Sequence, residues 1–195
     1  MVVIDATMLM PLLRPDIPIP GGPSGTPIEK AKERIDHLVK ELERDKTKII
    51  VPTPALSEIL VRAGAEASGK IIEHLQKFAV FRIEPFDTRA AIEVAAMTRE
   101  LLDSRQRKRG TSNSTWTKIK FDRQIVAIAK VHNVTAIYSD DDDIRQIAGR
   151  AKIKVIGLTD LPLPPEDAQL SFVLTGEAEG RVPKIGDERG QENKA

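Results

Sequence analysis

Acidic side chains stand at several points where a parallel sheet would bring them together. Asp5 directly follows the apolar run "VVI", and four consecutive aspartates at positions 140–143 follow the strand-like segment "VTAIYS". Glu58 and Asp122 each lie in the early part of a predicted helix. Because ligand sites in parallel sheets form beyond the carboxyl ends of the strands, we expect these acids to share one pocket.

Several carboxylates in one pocket require a counter-cation. Two of them about 5 Å apart repel by roughly 3 kcal/mol at an effective dielectric constant near 20, so four cannot all stay ionised alone. The chain has no cysteine, and its three histidines are isolated on different predicted helices. Oxygen-only ligands favour a hard ion, which we expect to be Mg²⁺ or Mn²⁺. Such an ion can lower the pKa of bound water and stabilise charge on a phosphate.

Strand-like and helix-like segments alternate along the chain. The runs "VVI", "KIIVP", "VFRIEP", "VTAIYS" and "IKVIG" predict short buried strands, and segments with apolar residues at helical spacing separate them. Parallel strands need such crossovers, so the pattern predicts an α/β fold, a three-layer sandwich with a central parallel sheet flanked by helices. Two segments, 14–27 and 104–117, predict long loops.

Capping signals predict where three helices start. Thr26 is a candidate N-cap, Thr53 is another with Pro54 at the first helical position, and Asp87 or Thr88 caps a third helix. The helix after Thr53 is predicted to continue as far as Ala67.

The order of the acids resembles that of the PIN-domain family of metal-dependent ribonucleases, which includes the VapC-type toxins of bacterial toxin–antitoxin pairs. The resemblance covers most of residues 1–157 through "VVIDATML", "TPALSEIL" and "KIKFDRQIVAIAKVHNVTAIYSDDDDI". The chain departs from the family in its long proline-rich loop after Asp5. It also has Asp140 and Asp142 where other residues usually stand, which leaves the register of the fourth acid open by one place.

The resemblance implies a role for individual residues. The catalytic acids would be Asp5, Glu58, Asp122 and Asp141. The same four, with Asp143, would bind the metal, and Thr7 and Ser139 would position the reacting groups. Side chains alternate on an extended strand, so Ser139 and Asp141 should point one way and Asp140 the other. We therefore expect Asp141 to join Asp5, and Asp140 and Asp142 to remain in solvent or to cap a helix.

The segment from Arg99 to Arg123 carries a local net charge of +5, from eight basic and three acidic residues. Arg107, Lys108 and Arg109 in this segment are candidates for holding an RNA backbone, and Trp116 is a candidate for stacking on an unpaired base. Alternatively, the basic segment is a solvated charged face, and Trp116 is a packing anchor.

Composition bounds the class of protein. A chain of 195 residues with 41% hydrophobic content supports one ordinary domain, which we place at residues 1–160, followed by a largely irregular or disordered C-terminal extension at 161–195. The N-terminus lacks the features of a secretion signal, and no apolar run reaches about eighteen residues, so we expect a cytoplasmic protein that does not enter a membrane.

The sequence thus predicts a metal-dependent endoribonuclease whose substrate is RNA. The resemblance to toxins also implies a homodimer and a small antitoxin protein as partners. Two alternatives remain open. One is a phosphatase of the haloacid-dehalogenase type that forms an aspartyl phosphate on Asp5, although "DATML" lacks the second aspartate of that family. The other is a module that binds RNA or a protein partner without turnover.

Overall fold

The structure is a computed structural model that describes residues 1–13, 28–107 and 116–164, with the side chains of 102–107 and 116–120 not described. The strands are β1 (Val2–Ile4), β2 (Ile49–Pro52), β3 (Phe81–Glu84), β4 (Ala136–Tyr138) and β5 (Lys154–Ile156). The helices are α1 (Ala6–Leu13), α2 (Ala31–Arg44), α3 (Thr53–Ala63), α4 (Ala65–Lys77), α5 (Thr88–Arg107), α6 (Trp116–Val131) and α7 (Asp142–Arg150). A 3₁₀ turn, Leu158–Asp160, follows β5.

The five strands form one parallel sheet in the order β3-β2-β1-β4-β5. Every residue of β1, β2 and β4 is buried, which explains why these strands are continuous apolar runs rather than alternating ones. The predicted α/β sandwich with a central parallel sheet is therefore confirmed.

The strand order reverses at the centre of the sheet. From β1 the chain builds outward through β2 to β3, and it then returns to place β4 on the other side of β1. Val3 pairs with Ile50 on one side and with Ile137 on the other. The boundary between β1 and β4 is thus the switch point at which parallel sheets open a crevice beyond their carboxyl ends.

One helix was not expected from the sequence. The segment Ala6–Leu13 forms α1 although Pro11 lies inside it, and six of its eight residues are buried. Proline lowers helix propensity, but burial of this apolar segment against the core outweighs that local cost.

Two predicted element boundaries were wrong. The helix expected to reach Ala67 ends at Ala63, because Gly64 adopts a φ of +80° that favours glycine and separates α3 from α4. The loop expected at 104–117 is shorter, since α5 continues to Arg107 and α6 begins at Trp116. The proline-rich segment 14–27 lies outside the described residues.

The capping predictions had mixed outcomes. Asp87 caps α5, because its Oδ1 accepts a hydrogen bond of 2.9 Å from the backbone N–H of Ala90. Thr53 does not cap α3; its hydroxyl oxygen instead accepts a 3.0 Å hydrogen bond from the backbone N–H of Phe86. Thr26 lies outside the described residues, and α2 begins only at Ala31, after Lys30 in a left-handed conformation. No helix in the described ranges is both long and apolar enough to cross a membrane.

Candidate acidic metal site

Asp5 and the aspartate run meet at the switch point of the sheet. β1 and β4 are neighbours, and the backbone N–H of Asp5 donates a 3.0 Å hydrogen bond to the carbonyl of Tyr138, which extends their pairing past the last residue of β1. The parallel register therefore brings Asp5 beside Ser139, the first residue after β4. This adjacency agrees with the pocket expected from the sequence.

Asp5 is a buried carboxylate held by two hydroxyl groups. Its Oδ2 accepts a 3.1 Å hydrogen bond from Thr7 Oγ1 and another of 3.1 Å from Ser139 Oγ. Burial raises the pKa of Asp5 above its ordinary value, and the negative charge of Glu58 raises it further. Hydrogen bonds from the Ala6 backbone, Ser139 and Thr7 act in the opposite direction. A nearby cation would relieve the cost of ionising this carboxylate.

Three aspartates form a group of oxygens suited to one cation. Ligand oxygens of Asp122, Asp141 and Asp143 lie within 4.8 Å of one another. Asp122 is buried on α6, whereas Asp141 and Asp143 are half-buried at the start of α7. Carboxylate oxygens are the ligands that Mg²⁺ and Mn²⁺ prefer, so the donor set fits the expected ion.

Asp141 also caps α7. Its Oδ1 accepts hydrogen bonds from the backbone N–H groups of Asp143 at 2.8 Å and Ile144 at 3.3 Å. Its own N–H donates to Ser139 Oγ at 3.0 Å, so Ser139 connects Asp141 to Asp5. This network fixes the turn between β4 and α7 and thereby places Asp141 and Asp143 beside Asp122.

The other two aspartates of the run point elsewhere. Asp140 Oδ1 accepts a 2.8 Å hydrogen bond from the backbone N–H of Leu158 and so ties the end of β4 to the 3₁₀ turn. Asp142 is exposed in the first turn of α7. We expected Asp140 and Asp142 to remain in solvent or to cap a helix; both are exposed, and the residue that caps α7 is Asp141, because the chain turns into α7 directly after it.

Glu58 lies at the rim of the pocket. It is exposed on α3, and its Oε1 forms an ion pair of 2.6 Å with Nη2 of Arg62 one helical turn later. Its charge acts on Asp5, which places it near the pocket. Among the described residues, the group of oxygens within 4.8 Å contains only the three aspartates, so the structure brings Glu58 to the site without joining it to that group.

Only part of the basic segment from Arg99 to Arg123 lies within the described residues. Arg107 is the last residue of α5, but its side chain, Lys108, Arg109 and the side chain of Trp116 lie outside the described part of the chain. Arg123 is buried, and its Nη1 donates a 3.3 Å hydrogen bond to Thr98 Oγ1 on α5. At least one positive charge of the segment therefore serves to join α5 to α6.

Two residues near the acids were missed by reasoning from the sequence. Arg62 follows Glu58 by four positions, a helical spacing that permits an ion pair and could have signalled it. Phe121 precedes Asp122 and remains 45% exposed, although its sequence context gave no sign of that exposure.

A family model described as PIN domain matches residues 28–150, which is more than half of the chain. The matched range contains Glu58, Asp122, Asp141 and Asp143, and Asp5 precedes it. A search of curated proteins finds no match.

Proposed function

The chain belongs to the PIN domain family, whose members are generally nucleases, and from that premise we propose that it is an endoribonuclease dependent on Mg²⁺ or Mn²⁺. The observation that carries the proposal is the group of three aspartate oxygens beside the buried Asp5 at the switch point of the sheet. Carboxylates this close repel one another when ionised, and a divalent cation would balance their charge.

The acidic residues have two roles in this proposal. Asp122, Asp141 and Asp143 hold the cation, and Asp5 and Glu58 complete the negative field around it. Thr7 and Ser139 orient the Asp5 carboxylate through their hydrogen bonds. When bound, the ion supplies the Lewis acidity that activates water and neutralises charge on the phosphate.

No side chain of this site is placed to act as a nucleophile in our proposal. The chain has no cysteine, and the hydroxyl groups of Thr7 and Ser139 are both committed to Asp5 as hydrogen-bond donors. Water is therefore the attacking group, and hydrolysis of a phosphodiester is the reaction. The residue two positions after Asp5 weighs against an aspartyl phosphate there. A phosphatase of that type needs a second acid at this position, and this chain has Thr7, which donates a hydrogen bond to Asp5.

The finer assignments rest on the resemblance to VapC-type toxins. We propose on that basis that the chain is the toxin of a toxin–antitoxin pair, that it forms a homodimer in the cytoplasm, and that a small protein inhibits it. We also propose that Arg107, Lys108 and Arg109 hold the RNA backbone, because their positive charge offsets repulsion between the phosphates and the acids.

The experiment that tests the function compares two neighbouring residues under the same substitution. RNA cleavage is measured with Mg²⁺ or Mn²⁺, and with a chelator, for the wild type, Asp141→Asn and Asp140→Asn. We expect Asp141→Asn to lower the rate by more than about 100-fold, since even residues that merely orient metal ligands contribute 10- to 100-fold. Asp140→Asn should remain active, because Asp140 contacts Leu158 and not the cluster.

The substitution to asparagine preserves the fold in this comparison. Asparagine is as good an N-cap as aspartate, so α7 should still form in Asp141→Asn. Asp143→Asn should impair cleavage and Asp142→Asn should be tolerated. An active Asp141→Asn with an inactive Asp140→Asn would show that the register is wrong by one residue. RNA binding without cleavage in either metal would replace the nuclease by a binding module.

A further inference from the structure

The connections that lead into β2, β4 and β5 share one backbone design. In each of them a residue just past the preceding helix adopts a left-handed conformation, with φ values of 53° at Lys46, 48° at Asn133 and 58° at Lys152. The N–H of the next residue then donates a hydrogen bond of 2.8 to 3.2 Å to a carbonyl in the last turn of that helix. Glycine takes this position without steric cost, and asparagine is the next most common choice. Lys46 and Lys152 therefore stand where their side chains cost stability.

These turns lie on the edge of the sheet opposite the acidic pocket. We call this surface the amino edge, and it consists of Met1, Lys154 and the connections 45–48, 78–80, 132–135 and 151–153. Val2 pairs with Ile49 on β2, and Ala136 pairs with Lys154 on β5, so the register aligns the starts of these strands. Because β2 and β5 are three strand spacings apart in the sheet, the lysines at their starts are separated by about 14 Å.

The amino edge carries positive charge that no described acid balances. Lys46, Lys152 and Lys154 are exposed, and none of them forms an ion pair with a described residue. Asp45 is the one acidic residue of the four connections, and it already pairs with Arg44 at 3.2 Å. The three lysines are therefore available to an anionic partner.

Stabilisation of the helices does not account for these lysines. The helices α2, α4, α6 and α7 end towards this edge, and a basic side chain in the last turn interacts favourably with the dipole of each. The last turns contain Arg44, Lys77, Lys130 and Arg150. Lys46 and Lys152 lie beyond the last turn, where the effect of the dipole has fallen off, and Lys154 lies on a strand. Local strain that stability does not explain points to a role in binding.

Resting on the function proposed above for the identity of the polymer, we propose that the amino edge is a second RNA-binding surface. On it, Lys46, Lys152 and Lys154 hold phosphates of the strand outside the segment that enters the acidic pocket. A separation of about 14 Å between the lysines of β2 and β5 suits successive charges along a polymer better than one small anion. Lysine binds phosphate as a point charge and reads no sequence, so these contacts raise the affinity for RNA of any sequence.

The side chains between the lysines favour a nucleic acid over a protein partner. Asn133 and Thr135 are exposed and polar, and the large apolar residues of the four connections are buried or half-buried. Met1, at 41% exposure, is the one exposed large apolar side chain of the amino edge. Protein interfaces depend on apolar and aromatic anchors at their centre, whereas binding to a phosphate backbone depends chiefly on charge.

The test measures RNA binding in a chelator, so that metal-dependent cleavage does not interfere, at several concentrations of monovalent salt. The probes are a single-stranded RNA of mixed sequence and polyglutamate of equal charge. One variant combines Lys46→Gly with Lys152→Gly, and a second combines Lys46→Gln with Lys152→Gln. Asn133→Gly makes the same backbone change on the neighbouring connection without loss of charge. Lys70→Gln removes an exposed lysine of α4 that lies outside the amino edge.

Both double variants should reduce the slope of log affinity against log salt by about 1.4, at roughly 0.7 for each phosphate contact on a single strand. The glycine variant should also melt at or above the temperature of the wild type, because glycine relieves the strain of the left-handed turns. Retained stability then separates the loss of a contact from the loss of the fold. Asn133→Gly and Lys70→Gln should keep the wild-type slope, and polyglutamate should bind more weakly than RNA.

A wild-type slope in both double variants would overturn the inference. So would a loss of about 0.7 in Lys70→Gln, because the effect would then be one of net charge. Tighter binding of polyglutamate than of RNA would assign the surface to an acidic protein instead. If the expected losses occur but the wild type cleaves no RNA in Mg²⁺ or Mn²⁺, the inference stands and the nuclease function fails. If RNA is cleaved but the double variants keep the wild-type slope, the nuclease function stands and this inference fails.

Discussion

Asp141 stabilises the local structure and is also placed for chemistry. Its carboxylate caps α7 and belongs to the three-aspartate group, while its N–H binds the hydroxyl of Ser139. From the sequence, capping and metal binding were separate roles assigned to different aspartates. The structure gives the cap to Asp141, the aspartate to which metal binding was assigned, because a capping side chain at the end of a strand can face the same crevice as its neighbours.

Asp5 provides a test of the site in the absence of metal. Burial and the charge of Glu58 raise its pKa above the ordinary 3.8. An acid with a raised pKa binds its proton more tightly when folded, so the free energy of unfolding falls as the pH rises above 3.8. Asp5→Asn removes the ionisable group and keeps an oxygen that can accept hydrogen bonds from Thr7 and Ser139. In a chelator at pH 7, we expect Asp5→Asn to melt at a higher temperature than the wild type.

The gain in Asp5→Asn should shrink as the pH is lowered through the raised pKa of folded Asp5 and be lost below 3.8, where the wild-type carboxyl is protonated in both states. Asp142→Asn, an exposed change in the same region, is the control and should leave the melting temperature nearly unchanged. A lower melting temperature for Asp5→Asn at pH 7 without divalent ions would contradict the cost of ionising a buried Asp5 beside the charge of Glu58.

The connection after β5 holds the aspartate turn in place. Asp140 accepts from the N–H of Leu158, and Arg34 on α2 donates to the carbonyl of Leu161 just beyond the 3₁₀ turn. Gly157 fits closely here, because a Cβ at this position would lie 2.7 Å from Asp140 Oδ1. A side chain at Gly157 must displace the Asp140 carboxylate from its partner.

Gly157→Ala should therefore lower stability by about 1 kcal/mol, the net value of one hydrogen bond, which corresponds to roughly 2–4 °C in melting temperature. Gly149→Ala is the matched control, since a Cβ there meets nothing within 4 Å and alanine is the better helix former. Thermal unfolding of both variants checks the prediction. A Gly157→Ala protein as stable as Gly149→Ala would show that the contact between Asp140 and Leu158 is dispensable.

The strands were predictable from the sequence and several helix boundaries were not. Short β-branched runs buried on both faces leave a clear signal, and all five were found. α1 was missed because Pro11 lies inside it and its eight residues are too few to show a helical period, so its helix depends on burial. The end of α5 and the start of α6 were missed because the polar residues there show no apolar periodicity, which is the signal by which a helix is predicted.

For the whole molecule, charge is distributed unevenly although the formal net charge is only +1. The acids gather at the switch point, and the segment from Arg99 to Arg123 contributes a local +5. Such separation of charge would let one polyanion approach a site that otherwise repels it.

The assignment of residues 1–160 as the nuclease domain and 161–195 as an extension stays a prediction, since positions 165–195 lie outside the described residues.

The basic segment is tested by replacing Arg107, Lys108 and Arg109 together with alanine. If all three contact phosphates, the log-log salt slope of RNA binding should fall by about 2, at roughly 0.7 per contact. The stabilisation of the protein by Mn²⁺ in thermal unfolding should stay the same, because the metal ligands are unchanged. An unaltered slope would identify the segment as a solvated face.

The central claim is that Asp122, Asp141 and Asp143 hold a divalent cation at the switch point. Anomalous diffraction from a crystal grown with Mn²⁺, at a concentration that supports RNA cleavage, tests this directly. We predict an anomalous peak in direct contact with oxygens of all three aspartates and within the crevice beside Asp5. A map with no peak at these oxygens, or a Mn²⁺ ion bound elsewhere while the three aspartates remain without one, would contradict the account.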